Sequence, residues 1–154
     1  MRAAIGERLA RLLGRKPPDM QVAALCLDPD RRKVLLVTSR GTGRWIVPKG
    51  WPMPGRSLAD AAMQEAWEEA GVRGQIGQSP LGRYHYDKQQ GHGFAIPIEV
   101  RVFALTVESL ADDYPEHGQR KRHWYRPERA AELVAETGLK ALLRTLPAAT
   151  GKRG

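Results

Sequence analysis

Residues 48–72, PKGWPMPGRSLADAAMQEAWEEAGV, decide how the rest of the chain is read. They open in a Pro/Gly-rich turn and continue as a helix. Ser57 is a good N-cap, and Asp60 completes a capping-box pattern with it. Gly71 stands where a left-handed helix cap is usually placed. Between the caps lie Ala, Met, Leu, Gln, Glu and Trp, mostly competent helix formers.

Glu65, Glu68 and Glu69 fall inside that helix. Glu65 and Glu69 are one turn apart and Glu68 sits beside both, so the three carboxylates project within an arc of roughly 100°. Ala59, Met63, Ala66 and Ala70 form a small-residue packing stripe on another side. Like charges one turn apart repel by roughly a few tenths of a kcal/mol. Two readings follow: a solvated acidic surface, or a seat for a hard divalent cation with oxygen ligands.

The flanking residues separate them. Gly50, Glu65, Ala66, Glu68, Glu69, Gly71 and Val72 stand in the register G-x5-E-x7-R-E-U-x-E-E-x-G-U, with U an apolar residue. The stretch therefore resembles the Nudix box. Two positions depart from the pattern: Arg56 stands in place of its first Glu and Gln64 in place of its Arg.

At 154 residues one domain is expected, large enough for a real core. Apolar residues make up 42% and charged residues 27%, the balance of an ordinary globular protein. The single Cys26, in the apolar run AALCL, excludes an internal disulfide and reads as a small buried hydrophobe. Met1 to Lys16 has no apolar leader core, and no run of 18 apolar residues occurs, so a reducing cytoplasm and no membrane span are expected. The formal net charge of +8 suits a polyanionic partner, or serves only solubility.

Residues 1–16 read as a short amphipathic helix, with 1–18 an extension to a domain at 19–147 and 148–154 a disordered tail. Strands are expected over Gln21–Leu27 and Lys33–Thr38 around a turn at Asp28–Arg31, then over Arg44–Val47. Longer strands follow over Arg73–Lys88 and Ala95–Val107. In the second, Ile96, Ile98, Val100 and Val102 share one face, with Glu99 and Arg101 on the other. Glu108–Arg120 reads as a loop, His123–Tyr125 as a strand, and Pro127 as the N1 residue of a helix running to about Glu136. A last helix, Leu139–Leu146, is expected to stop at Pro147. Trp45, Trp67 and Trp124 read as core or pocket wall, and Trp51 as the exposed aromatic.

The resemblance implies an α/β fold: an α/β/α sandwich whose mixed central sheet has the box helix on one face and the 127–136 helix on the other. It also implies hydrolysis of a diphosphate linkage with Mg2+ or Mn2+. Residue by residue, Glu65 and Glu69 match the family's main metal ligands, and Glu68 a ligand or the general base. The carbonyl of Lys49 matches a backbone ligand. Glu116 is the candidate for a late-loop carboxylate, with Asp112 and Asp113 behind it. Gln64, unable to supply the pattern's Arg charge, should leave Glu65 less firmly held.

Ser39-Arg40, Arg44 to Pro48 and Arg120 to Tyr125 further resemble the diphosphoinositol polyphosphate phosphohydrolase branch, which also cleaves diadenosine polyphosphates. On that likeness Ser39, Arg40, Arg44, Lys49 and Lys121 are candidates for holding the phosphates. A small polyphosphorylated substrate is the expected partner, and nucleic acid is less favoured. Alternatives are a weak or dead Nudix domain that binds a polyanion such as RNA or a nucleotide, and an RNA 5′-pyrophosphohydrolase. The sequence sets no oligomeric state.

Overall fold

Asp19–Leu27 (β1) is apolar at every position from Val22 onward, which suits a strand covered on both faces. In the computed structural model, which describes residues 19–91 and 93–150, it occupies the middle of one mixed sheet. The expected helix over 1–16, His92 and the last four residues lie outside the described residues.

Val34–Thr38 (β2) pairs antiparallel with β1, placing Cys26 opposite Leu35, so the expected hairpin forms. Arg122–Tyr125 (β8) continues the sheet beyond β2, and Trp45–Ile46 (β3) pairs with the opposite edge of β2 at Val37 and Thr38. Lys49–Gly50 (β4) pairs with β1, with Gly50 opposite Val22 and Lys49 opposite Ala23. The expected strand at 44–47 is thus β3, shortened to two residues, and β4 adds an unexpected second one before the chain enters the helix Leu58–Ala70 (α1). On the other side of β1, Ala95–Leu110 (β7) runs parallel to it for nine paired positions.

The outer edge of β7 carries Val72–Ile76 (β5) and Gly82–Gln89 (β6) end to end, both antiparallel. The single strand expected over Arg73–Lys88 is interrupted here. Gly77 N still donates to Ala104 O (2.9 Å) and Leu81 N to Val102 O (2.7 Å). Gln78 to Pro80 bulge out between these bonds, where Pro80 has no N–H to give the ladder.

Side-chain alternation divides the core into two layers. Val22, Ala24, Cys26, Leu35, Val37, Phe103 and Leu105 pack beneath the alanines of α1. Ala23, Leu25, Leu27, Val34, Leu36, Val100 and Val102 pack against Pro127–Leu133 (α2) and Thr137–Thr150 (α3). Glu99 and Arg101 do fall on the opposite parity, where β7 is only half-buried. The result is an α/β/α sandwich.

Two helix boundaries differ from expectation. α2 ends at Leu133, because Val134 takes an extended conformation (ψ 154°), and α3 begins at Thr137. α3 also runs on past Pro147 to Thr150, into the segment expected to be a disordered tail. Proline removes one N–H from the ladder, and here that does not end the helix.

Candidate active site

The start and stop of α1 are fixed by local chemistry. Asp60 N donates to Ser57 Oγ (3.1 Å) at the N-terminus, while the Asp60 carboxylate accepts from Gln78 Nε2 (3.5 Å). Gly71 ends the helix at φ 67°, and a Cβ there would stand 2.5 Å from the Tyr114 ring. Arg122 lies over that ring, 4.9 Å from its centroid, and Nη1 donates to Ala70 O (2.6 Å). The C-terminal end of α1 is thus held by the loop and strand that follow β7.

Glu65 and Glu69 form a coupled pair. A Cβ on Gly50 would lie 2.3 Å from the Glu65 carboxyl carbon, so only glycine lets this carboxylate reach the β4 backbone. Glu69 is 4% exposed and buried under the sheet edge. The two side chains share a hydrogen bond. Burial, chiefly, raises the pKa of both, and Glu69 is pushed up to about 8 although Arg120 pulls the other way. Glu69 Oε1 is buried and has no hydrogen-bond partner.

Glu68 points elsewhere. It accepts from Gln64 Nε2 (2.8 Å), and Gln64 Oε1 in turn accepts from Arg56 Nη1 (3.4 Å). Both departures from the box pattern therefore join one chain of contacts ending on Glu68. The Gln64 amide is bonded to Glu68, not to Glu65 as its place in the pattern suggested. Among the described residues, no three His, Cys, Asp or Glu side chains converge as a ready metal cluster. The carboxylates fit a divalent cation as a pair: two adjacent acids that a shared proton otherwise reconciles, and one buried oxygen awaiting a partner.

The late loop closes over this pair. Glu116 N donates to Glu68 O (2.9 Å). Arg120, 9% exposed, donates through Nε to Glu116 Oε1 (2.9 Å) and through Nη1 to Thr38 O (3.1 Å). Its Nη2 lies 3.9 Å from Glu69 Oε1. Arg40 approaches Glu116 at 3.9 Å and donates to Gln119 Oε1 (3.0 Å). Glu116 is thus brought in beside Arg120, whereas Asp112 and Asp113 are exposed.

Ser39 and Arg44 line the next turn. Ser39 Oγ is hydrogen-bonded to Thr42 Oγ1 and accepts from Arg44 N (3.1 Å). Lys49 is largely enclosed, with Nζ 5.3 Å from the Tyr86 ring centroid. Burial pushes its pKa below the ordinary range, against the pull of Glu69 and Glu136. Lys121 is exposed, and its backbone pairs with Thr38.

Arg120 was legible only through phase. Trp124 packs beneath α1 and Tyr125 on the opposite layer, so alternation turns Arg122 and Arg120 toward α1 and Lys121 away. Trp45 meets Tyr125 edge to face at 5.2 Å and Trp67 lies under Arg73 at 3.9 Å, both as walls. Trp51 is 45% exposed, as expected.

An acidic helix in an α/β/α sandwich, facing a rim of cations, is a frame suited to a phosphorylated ligand and a metal ion. The NUDIX domain family model matches residues 17–146, and the chain belongs to the Nudix family. Diphosphoinositol polyphosphate phosphohydrolase 3-alpha of Mus musculus is 36% identical over 118 residues, which is 74% of this chain and 68% of that protein. The 3-beta protein of Homo sapiens matches at the same identity and coverage. Among solved structures, a NUDIX hydrolase from Nitrosomonas europaea superposes with TM-score 0.67 at 21% identity, over 87% of this chain and 91% of that one. A C. elegans Ap4A hydrolase binary complex gives 0.62 at 19% identity, over 86% and 98%. The likeness to these two structures is one of fold.

Proposed function

We propose that this protein is a Mg2+- or Mn2+-dependent pyrophosphohydrolase that cleaves a diphosphate linkage in a small substrate of the dinucleoside polyphosphate or diphosphoinositol polyphosphate type. The observation that carries this reading is the Glu65–Glu69 pair, one buried oxygen of which has no hydrogen-bond partner. Glu65, Glu69 and the Lys49 carbonyl would hold the ion, with Glu116 a further ligand candidate. When bound, the ion supplies charge neutralisation and a more acidic water.

The chain's own groups do the rest. Ser39, Arg40, Arg44, Lys49 and Lys121 bind and orient the phosphates, and the arginines grip two oxygens at once. Glu68, kept in hydrogen-bond contact with Gln64, accepts the proton of the attacking water. The new P–O bond forms as the bridging P–O bond breaks, and the leaving phosphate departs toward the cationic rim. No described helix is long and apolar enough to cross a membrane, and the reading places the enzyme in a reducing cytoplasm.

The test is phosphate release with Mg2+ over a panel of dinucleoside polyphosphates, diphosphoinositol polyphosphates and 5′-triphosphorylated RNA, with products identified by mass spectrometry. Cleavage of the first two classes, lost in Glu69→Gln, supports the reading. Cleavage of RNA alone moves the assignment to an RNA 5′-pyrophosphohydrolase, and cleavage of none leaves a polyanion-binding domain.

A further inference from the structure

The hydrolase reading leaves two substrate classes open, and a carboxylate outside the box separates them. Glu136 lies in the link between α2 and α3. Its carbonyl accepts from Lys140 N (2.9 Å), within the first turn of α3. Gly138, two residues on, is pressed against β6 so tightly that a Cβ would stand 2.6 Å from that of Tyr84. Along the same face of β6 comes Tyr86, the ring that carries the Lys49 ammonium and whose hydroxyl donates to Gln21 Oε1 (2.7 Å). The link therefore stands beside the phosphate-facing lysine, on the layer opposite α1.

Glu136 Oε1 is buried and has no hydrogen-bond partner. The cation closest to it in the chain, Lys140, donates instead to Ala131 O (2.9 Å). The carboxylate is near enough for its field to reach Lys49, Tyr84 and Tyr86. A buried acceptor that bonds nothing is costly and uncommon in folded proteins. Beside the lysine assigned to the phosphates, such an acceptor is placed to take a hydrogen bond from a ligand's donor.

The two substrate classes differ in what they bring there. A diphosphoinositol polyphosphate presents further phosphates, all acceptors and all negative. A dinucleoside polyphosphate presents ribose hydroxyls and, on adenine, an exocyclic amine, all donors. A fixed carboxylate repels the first and bonds the second. Trp51, exposed next to Gly50 with Lys88 Nζ 5.1 Å from its ring centroid, offers a face on which a base can stack.

We propose that Glu136 is a specificity-determining residue that selects a nucleoside-bearing polyphosphate over a phosphate-studded inositol. The proposal rests on the hydrolase reading for the identity of the two classes. Its test is equilibrium binding in EDTA, where no turnover occurs, so it can fail without that reading failing and the reverse. Dissociation constants for diadenosine tetraphosphate and inositol hexakisphosphate are measured on the wild type, Glu136→Gln and Glu136→Lys.

The wild type is expected to bind the dinucleotide more tightly. The preference should fall about tenfold in Glu136→Gln, the scale of one hydrogen bond to a charged group, and reverse in Glu136→Lys. Tighter binding of inositol hexakisphosphate by the wild type overturns the proposal, and so does a preference unchanged in the two variants. The wild-type measurement decides even where a variant folds poorly.

Discussion

Two carboxylate oxygens among the described residues are buried without a hydrogen-bond partner, Glu69 Oε1 and Glu136 Oε1, and they lie on opposite layers of the sandwich. Glu69 sits inside a charged cluster. Glu65 shares a hydrogen bond with it, and Arg120 stands 3.9 Å away. Its burial is balanced by neighbours that need a further positive charge to settle. Glu136 acts instead on two tyrosines and one enclosed lysine. The first environment suits an ion, and the second suits a neutral donor. Burial of a carboxylate alone does not say what it is for. The charges around it do.

The comparison can be broken first at Glu69. Glu69→Gln should lower kcat by about 10³-fold or more, on the scale of losing a principal charge at the reacting centre. The same change should raise the melting temperature of the metal-free protein at pH 8 and above, because it removes a buried acid that ionises over that range. An active Glu69→Gln enzyme would end the assignment of this pair.

Gly50→Ala tests the pair through its other member. A Cβ placed 2.3 Å from the Glu65 carboxyl carbon must expel that side chain or move β4. The expected result is a loss of about 1–3 kcal/mol in denaturant unfolding, typical of overpacking, with weakened Mn2+ binding by calorimetry. Tolerance of alanine would show that Glu65 need not approach the backbone.

Third is the pH dependence of the metal-free protein. Glu69 has a folded pKa of about 8, above its ordinary value. Between these two values the folded state holds a proton that the unfolded state has released. The contribution of Glu69 to stability is therefore full below the ordinary carboxylate range and is lost as pH rises through about 8. Thermal melts in EDTA should decline over that window, and the decline should flatten in Glu69→Gln. Mg2+ should restore stability most at the alkaline end, since the ion displaces the shared proton. A flat EDTA profile would deny the coupling.

The smallest effect is expected at Arg56. Its bond to Gln64 is long (3.4 Å) and exposed. Arg56→Ala should lower kcat by no more than about threefold, the scale of a weak exposed contact, with stability within about 0.5 kcal/mol of wild type. A large loss would mean that this charge matters to Glu68 well beyond its hydrogen bond.

Local chemistry was readable in the chain. Ser57, Gly71 and the carboxylate spacing fix where α1 starts, stops and faces, and each acts within a turn of itself. The two-sided burial of β1 follows from its unbroken apolar run. What could not be read depends on partners distant in sequence. Arg120 enters the site because β8 pairs with β2 in a particular phase, which puts Thr38 O within reach of its guanidinium. Glu136 matters because α3 seats Gly138 on Tyr84. The break at Gln78 to Pro80 has a local mark in Pro80, but that both halves still pair with the same strand, β7, shows only in the long-range ladder.

Cys26, the chain's only thiol, is fully buried in the central strand beneath α1. Burial, and then the negative field of Glu69, push its pKa up to about 12. Such a sulfur is closed to alkylating and oxidising reagents while the sheet stays shut. Labelling of this native cysteine therefore clocks the opening of the molecule's innermost strand, a built-in reporter that requires no engineered probe.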